Sequence, residues 1–275
     1  MAKKSLVVDN DFFFLEFLSD LLERRGYRVI KAQGGKEGIS ELEKGPVDFL
    51  FLEIIMPKID GKQVIEFARK KFPERPFPII VVSGYLVEQI DELDRIGADY
   101  YIAKGVMEKM TDHIDMFLDR VEADAFAGSD TNVFLEPGQV YPRRATAELL
   151  DILNYQKAIT ESAGIGILVV DTDARVIHAN RTVLEIMDRP IEDVLNRPVT
   201  GLLPVPEREN MVDVLKQVIR DSGTRRVALH FHVDSRRIRT TVSALNVHNK
   251  KSGWIVSMED PRDLPSGTGT VFSGL

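Results

Sequence analysis

The first half of the chain predicts an α/β fold, with a five-stranded parallel sheet doubly wound by helices. Short apolar runs recur along residues 1–125, as in strands that are buried on both faces. Segments with helical periodicity separate these runs, and strict alternation of strand and helix requires a parallel sheet covered on both sides. Four of the runs end at a polar side chain, namely Asp9, Glu53, Ser83 and Lys104.

The predicted elements follow the chain in a regular order. Asp11 is placed to cap the first helix and Gly26 to close it. The strands are predicted at 6–8, 27–30, 47–52, 79–82 and 100–103, and the helices at 12–25, 36–43, 64–71, 86–96 and 110–121. Because ligand sites of open α/β sheets lie at the carboxyl ends of the strands, the four polar residues are expected to share one pocket.

The same residues carry a family resemblance over residues 1–125. Ser83 with the small Gly84, Tyr101 three residues before Lys104, Met56-Pro57 and Asp60-Gly61 resemble the motifs of the receiver domain of bacterial response regulators. The resemblance implies a phosphoryl-accepting Asp after the third strand and an acidic pair after the first. It also implies that Ser83 and Tyr101 act as switch residues. We call Asp9, Asn10, Glu53, Ser83 and Lys104 the receiver pocket.

Three positions depart from the receiver pattern. Glu53 stands where the phosphorylated Asp is expected, Asn10 replaces the second acid, and Gly105 replaces a Pro. The additional methylene of Glu moves its carboxylate by about 1.5 Å, into space that the phosphoryl group and a divalent cation would occupy. Errors of this size can cost about 100-fold in rate, and Asn10 removes a charged ligand that Mg²⁺ favours. We therefore predict a pseudo-receiver without catalytic residues, metal or cofactor.

The longer Glu53 side chain is expected to reach Lys104 directly. Such a pair would hold Ser83 and Tyr101 in an arrangement resembling the phosphorylated one, although Glu carries less charge than a phosphoryl group. The alternative is an inert pocket that is retained for packing. The sequence leaves both interpretations open.

Composition favours an ordinary globular protein of about two domains. The chain has 275 residues and no Cys, which excludes a disulfide framework and thiolate metal sites. No apolar run approaches the roughly 20 residues that span a bilayer, so we expect a cytoplasmic protein without membrane contact. Residues 1–125 hold 18 Lys and Arg against 24 Asp and Glu, and this net charge of −6 argues against nucleic-acid binding.

Residues 126–145 are predicted to form a linker, and a helix follows from about residue 146. Apolar residues recur along that helix at alternating spacings of three and four, with one polar position, as in a heptad repeat. Its members are Leu149, Ile152, Gln156, Ile159 and Ala163. Two heptads fit either a homodimer seam or an ordinary packing stripe, and the sequence does not decide between them.

Residues 146–262 are predicted to hold this helix and an α+β domain with an antiparallel sheet. The stretches Ala163 to Asp171 and Val176 to Asn180 resemble the opening strands of a PAS domain. The resemblance implies short helices at 182–187 and 191–195, a longer helix at 211–219, and closing strands at 227–233, 237–245 and 254–258. Ala174, Asp188 and Asn196 stand where the family favours Gly at turns. Residues 263–275 are predicted to be a flexible tail.

Several residues of the second half are of types that can bind a metal or another ligand. His230 and His232 share a strand face, but they lack a third ligand at useful spacing, so structural roles are favoured for them and for His178. Trp254 is expected to be a core aromatic. Arg225, Arg226, Arg236, Arg237 and Arg239 form a basic cluster near a turn, which is interpreted as a solvated hairpin edge because no motif supports nucleic acid.

The sequence thus predicts a two-component or phosphorelay protein that is not an enzyme. It would act by contact with a histidine kinase or a downstream signalling protein, as a homodimer through the helix that leads into the PAS domain. The alternative is a small-molecule sensor, in which the PAS domain binds a ligand and the receiver docks a kinase or effector.

Overall fold

The computed structural model describes residues 2–74, 77–84, 97–105, 107–122, 132–134, 155, 158–220, 226–233, 236–247 and 250–260. The chain divides into two compact units, Met1–Tyr155 and Gln156–Leu275. Each is described by itself.

The first unit is built on a parallel sheet. Its strands are β1 (Lys4–Val8), β2 (Arg28–Ala32), β3 (Phe49–Leu52), β4 (Ile79–Ser83), β5 (Tyr100–Ala103) and β6 (Asn132–Phe134). They lie in the order β2-β1-β3-β4-β5-β6. The central strands are buried on both faces, as their continuous apolar runs predict.

Four described helices cover this sheet: α1 (Phe12–Arg24), α2 (Gly35–Glu43), α3 (Gly61–Lys71) and α4 (Met107–Glu122). On one face, α1 and α4 pack a core with Phe51 and Ile102. On the other, α2 approaches so closely that a Cβ on Gly38 would press on the Val8 side chain. The Asp11 carboxylate caps α1 by accepting from the Phe13 and Phe14 amides, at 3.0 and 3.3 Å.

The predicted doubly wound fold is confirmed, with all five strands present and parallel. A sixth strand, β6, extends the sheet beside β5. It lies within residues 126–145, so three residues of the predicted linker belong to the sheet. Its three residues are too few to show strand periodicity. The helix predicted at 86–96 lies outside the described residues.

The second unit contains an antiparallel sheet. Its strands are β7 (Gly166–Asp171), β8 (Val176–Ala179), β9 (Arg226–Val233), β10 (Arg236–Val247) and β11 (Lys250–Glu259). They lie in the order β8-β7-β11-β10-β9. The helices are α5 (Arg181–Met187) and α6 (Val205–Arg220), with 3-10 turns at Ile191–Asp193 and Val199–Leu202. This arrangement confirms the predicted α+β fold. The longer helix begins six residues before its predicted start, because Pro206 fits the first turn of a helix.

Three turns of the second unit adopt the left-handed backbone conformation without glycine. Ala174, Asp188 and Asn196 have φ angles of 57°, 48° and 60°. The PAS family favours Gly at these positions. This chain forms left-handed turns there with Ala, Asp and Asn in place of Gly. The Trp254 side chain is buried, as expected, and its indole N–H donates to the Leu215 carbonyl of α6 at 2.9 Å.

Within the second unit, Asn180 holds a short helical segment, residues 158–162, by a hydrogen bond. The buried Asn180 amide donates to the Thr160 and Ile165 carbonyls, both at 2.8 Å, while its oxygen accepts from the Ile167 and Val183 amides at 2.8 and 3.1 Å. One side chain thereby joins that segment, β7 and α5.

The predicted dimer helix is only partly described. Leu149, Ile152 and Gln156 lie outside the described residues, as do Arg225 and the predicted tail at 263–275. Ile159 is described, and its side chain is 53% exposed.

Within the described residues, no helix is long and apolar enough to cross a membrane.

Candidate functional site

Four strand ends of the first unit meet at one edge of its sheet. β1, β3, β4 and β5 are consecutive neighbours in the strand order, so the residues that follow them converge. Asp9 follows β1, Glu53 follows β3, Ser83 ends β4 and Lys104 follows β5. The structure brings these four side chains into one contact network.

The Glu53 carboxylate lies at the centre of this network. Its Oε1 atom accepts hydrogen bonds from the Ile54 amide at 2.7 Å, the Ile55 amide at 3.2 Å and the Ser83 hydroxyl. Its Oε2 atom lies 2.9 Å from the Lys104 ammonium. Both oxygens are therefore engaged by donors of the protein itself.

Lys104 bridges the two carboxylates of the pocket. Its Nζ atom lies 2.6 Å from Asp9 Oδ2 and 2.9 Å from Glu53 Oε2. The Lys104, Asp9 and Glu53 side chains are 17%, 3% and 11% exposed, so solvent screens the interactions only partly. The Phe14 ring lies with its centroid 4.1 Å from the ammonium and adds a cation–π contact.

The two residues after β1 differ in their relation to the pocket. Asp9 Oδ1 accepts from the Asp11 amide at 2.8 Å, which fixes the loop that enters α1. Asn10 is exposed, and it adds no charge to the network. Of the five residues in the receiver pocket, four are joined by hydrogen bonds or ion pairs and Asn10 stands apart.

Close backbone packing holds the Glu53 loop in place. A Cβ on Gly61 would collide with the Glu53 carbonyl oxygen, so only glycine fits there. The Gly61 amide donates to the Ile54 carbonyl at 2.8 Å, and Asp60 caps α3 in a capping box with Gln63. Asp60-Gly61 thus anchors α3 beside the pocket. Gly105, in place of Pro, keeps an amide that donates to the Met110 sulfur at 3.2 Å.

Burial and an excess of negative charge shape the electrostatics. Burial raises the pKa of the Asp9 carboxyl above its ordinary value, and the nearby Glu53 adds to the rise, while Lys104 opposes it. Burial by itself would lower the Lys104 pKa, but the attraction of Glu53 and Asp9 more than offsets this and raises it. The lysine is therefore firmly protonated.

The pocket does not fit the divalent cation that the receiver resemblance implies. Asp9 and Glu53 are the only acids in it, and the cationic Lys104 already lies between them. Mg²⁺ requires several oxygen ligands in a near-octahedral arrangement. Nowhere in the described parts of the chain do three or more His, Cys, Asp or Glu side chains form a group that could hold a metal.

Tyr101 and Ser83, the predicted switch residues, are both fully buried.

The sequence did not predict three contacts of the pocket: the hydrogen bonds from the Ile54 and Ile55 amides and the cation–π contact of the Phe14 ring. Nor did it predict the positive φ of Lys58, 70°, in the loop after Glu53. The amides carry no side-chain signal. Phe14 was visible only as one of three consecutive phenylalanines.

Curated relatives resemble the first unit. The chain is 35% identical over 109 residues to the alkaline phosphatase synthesis transcriptional regulatory protein PhoP of Bacillus subtilis, a match that covers 38% of this chain and 43% of PhoP. It is 30% identical over 129 residues to the response regulator MprA of Mycolicibacterium vanbaalenii, covering 46% and 55%. The matches thus span about half the length of these relatives.

Solved structures resemble each unit separately. The response regulator TrrA of Thermotoga maritima is 29% identical, covering 44% of this chain and 97% of its own, with a TM-score of 0.38. A PAS domain from Colwellia psychrerythraea is 19% identical, covering 40% and 97%, with a TM-score of 0.35.

Two family models match consecutive parts of the chain. The response regulator receiver domain model matches residues 6–115, and the PAS fold model matches residues 155–261. Together with the parallel and antiparallel sheets, these matches assign the chain to two-component signalling. It consists of a response regulator receiver domain followed by a PAS domain.

Proposed function

We propose that the receiver domain is a pseudo-receiver, which signals through protein–protein contact without accepting a phosphoryl group. The observation that carries the proposal is the saturated Glu53 carboxylate, which two amides, the Ser83 hydroxyl and Lys104 all engage. A nucleophilic carboxylate needs a free oxygen aimed at the incoming phosphorus. Here the attacking group is occupied, and the Lys104 ammonium already neutralises the two carboxylates between which it lies.

Glu53 acts in this proposal as a built-in substitute for the phosphorylated residue. Its contacts with Ser83 and Lys104 join β3, β4 and β5 without a phosphoryl group. Charge-assisted hydrogen bonds in a partly buried site contribute about 1–3 kcal/mol, enough to shift a two-state equilibrium roughly five- to a hundred-fold. The buried position of Tyr101 supports the arrangement that the Glu53 contacts would favour.

The output in this proposal is neither catalytic nor DNA-binding. The receiver domain presents a constant surface to a histidine kinase or to a downstream signalling protein. The PAS domain contributes a homodimer through its preceding helix, and the exposed Ile159 supports an uncovered apolar face there. Asn180, which bonds to the Thr160 carbonyl, transmits the position of that helix to the PAS sheet.

Incubation with acetyl phosphate and Mg²⁺ tests the pseudo-receiver. We expect intact-protein mass spectrometry to find no labile acyl phosphate adduct on the native chain. The double variant Asn10→Asp/Glu53→Asp restores both acids and provides the positive control, with a stoichiometric adduct expected. An adduct on the native chain that disappears in Glu53→Ala would overturn the proposal.

A small-molecule sensor is the second candidate, and a buried hydroxyl favours it. Thr240 is fully buried in β10 between Ile238 and Val242, and its hydroxyl has no hydrogen-bond partner among the described residues. Unsatisfied buried polar atoms are rare and often face a bound ligand or water. Native mass spectrometry distinguishes the candidates, because a sensor retains a co-purified ligand and Thr240→Val weakens that retention.

A further inference from the structure

The outer face of the PAS sheet carries a cluster of basic side chains. Buried and exposed residues alternate along β9 and β10, so that one face packs on α6 and the other faces solvent. Leu229, Phe231, Ile238, Thr240 and Val242 are buried on the inner face. The exposed basic residues of the opposite face form what we call the basic ladder: Arg226, His230, His232, Arg237 and Arg239.

The strand register sets the geometry of the basic ladder. His232 lies opposite Arg237, and His230 lies opposite Arg239. Directly opposed residues are about 5 Å apart, and same-face neighbours along one strand are about 7 Å apart. The four side chains therefore form a compact two-by-two array. Arg236, the adjacent residue of β10, turns to the other side and donates to the Ile186 carbonyl at 2.6 Å.

Few counter-charges balance this array. Glu259 Oε2 lies 3.6 Å from Arg239, and these side chains are 33% and 58% exposed, so the pair is loose. Arg226 and Arg237 form no ion pair with any other residue in the described part of the chain. Basic side chains that face each other across a sheet weaken it when both are charged. A partner that supplies carboxylates removes this cost.

Protection of a sheet edge does not account for the whole ladder. Charged residues on an edge strand prevent unwanted strand pairing, and this explains Arg226 on β9. Arg237 and Arg239, however, stand on β10, which lies between β11 and β9 in the interior of the sheet. Their side chains protect no edge, so a binding role explains them better.

We propose that the basic ladder docks an acidic, extended segment of a partner protein with carboxylates at alternate positions. Same-face side chains of an extended segment are also about 7 Å apart, which matches the spacing along β9 and β10. Guanidinium groups bind carboxylates in a bidentate geometry. An acidic protein segment is favoured over nucleic acid because its alternate carboxylates match the spacing along the two strands, and because the ladder contains no Phe, Tyr or Trp on which bases could stack.

Fluorescence anisotropy with a labelled peptide of alternating Glu and Thr tests the proposal on the full-length chain. We expect salt-sensitive binding that weakens at least about 10-fold in Arg237→Glu/Arg239→Glu, because two attractions become repulsions. The control Lys216→Glu/Arg220→Glu makes the same charge change on the exposed side of α6 and should bind as the native chain does. The buried Trp254, the single Trp of the chain, reports whether each variant is folded.

Three results would overturn the proposal: no binding, an equal loss in both double variants, or tighter binding of a single-stranded oligonucleotide than of the peptide. If the charge reversal prevents folding, Arg237→Gln/Arg239→Gln replaces it, with a smaller loss expected in the same direction. The outcome is independent of the pseudo-receiver proposal, because no residue of the receiver pocket takes part.

Discussion

The Lys104 ammonium lies 2.9 Å from the Glu53 carboxylate, and this pair links the ends of β3 and β5. The Ser83 hydroxyl donates to the other oxygen of the same carboxylate, which adds β4 to the link. The Glu53 side chain thus joins the ends of three strands. The consequences can be measured by changing the charge, the cation and the neighbouring acid one at a time.

Glu53→Gln removes the charge of the carboxylate and keeps its size. We expect the Lys104 contact to weaken and the equilibrium between buried and exposed Tyr101 to shift about five- to a hundred-fold toward exposure. Crystal structures of the native protein and the variant, together with NMR of labelled Tyr assigned through Tyr101→Phe, provide the measurement. Glu66→Gln, on the exposed side of α3, is the control. A Tyr101 that stays buried in both proteins would show that the pair does not control it.

Lys104→Met leaves Asp9 and Glu53 without their cation in a nearly closed site. Removing one partner of a buried charge group costs about 3–5 kcal/mol, because the remaining charges stay desolvated. Urea unfolding followed by circular dichroism should show this loss in the receiver domain, while Trp254 fluorescence reports the PAS domain separately. Lys70→Met removes a half-exposed pair with Glu66 and should cost no more than about 0.5 kcal/mol. Equal effects of the two variants would contradict a buried network.

The sequence was sufficient to predict the convergence of the receiver pocket. Asp9, Glu53 and Lys104 each follow an apolar run, and parallel strands place such residues at one edge. The approach of Glu53 to the Ile54 amide could not be foreseen, because it depends on side-chain torsions that leave no periodic pattern. β6 was missed since three residues fall below the length at which alternation is recognisable.

For the second unit, the sequence predicted the secondary structure better than the exposure of individual side chains. The PAS resemblance predicts the positions of its closing strands, and these strands alternate buried and exposed residues. The exposure of His230 and His232 was not foreseen, and both lie outside the core that a structural role had implied. Period-two alternation indicates that two residues share a face, but only the sheet packing decides which face is covered.

Asp9→Asn should change the pH dependence of stability. The raised pKa means that the folded protein still binds a proton in the acid range above 3.8, where the unfolded chain has lost it. The free energy of unfolding of the native chain, relative to the variant, should therefore fall as the pH rises through 3.8 to the folded pKa. Urea titrations from about pH 3 to about pH 7 measure the difference. The exposed Asp20→Asn is the control, and a difference that grows with pH would contradict the assignment.

The dimer proposal predicts that Ile152→Lys/Ile159→Lys gives monomers. Two lysines per chain at the apolar positions of a two-stranded seam would bury like charges against each other. Multi-angle light scattering of the full-length protein should fall from the dimer mass to the monomer mass, with Trp254 fluorescence unchanged. Val205→Lys changes an exposed apolar residue at the start of α6 and should leave the mass as it is.

The opposite change, Gln156→Ile, replaces the polar member of the stripe and should strengthen the dimer against dilution. If the lysine variant keeps the native mass, or if the native chain is already monomeric, the stripe serves packing within one chain, and the Asn180 link orients that helix on its own PAS domain.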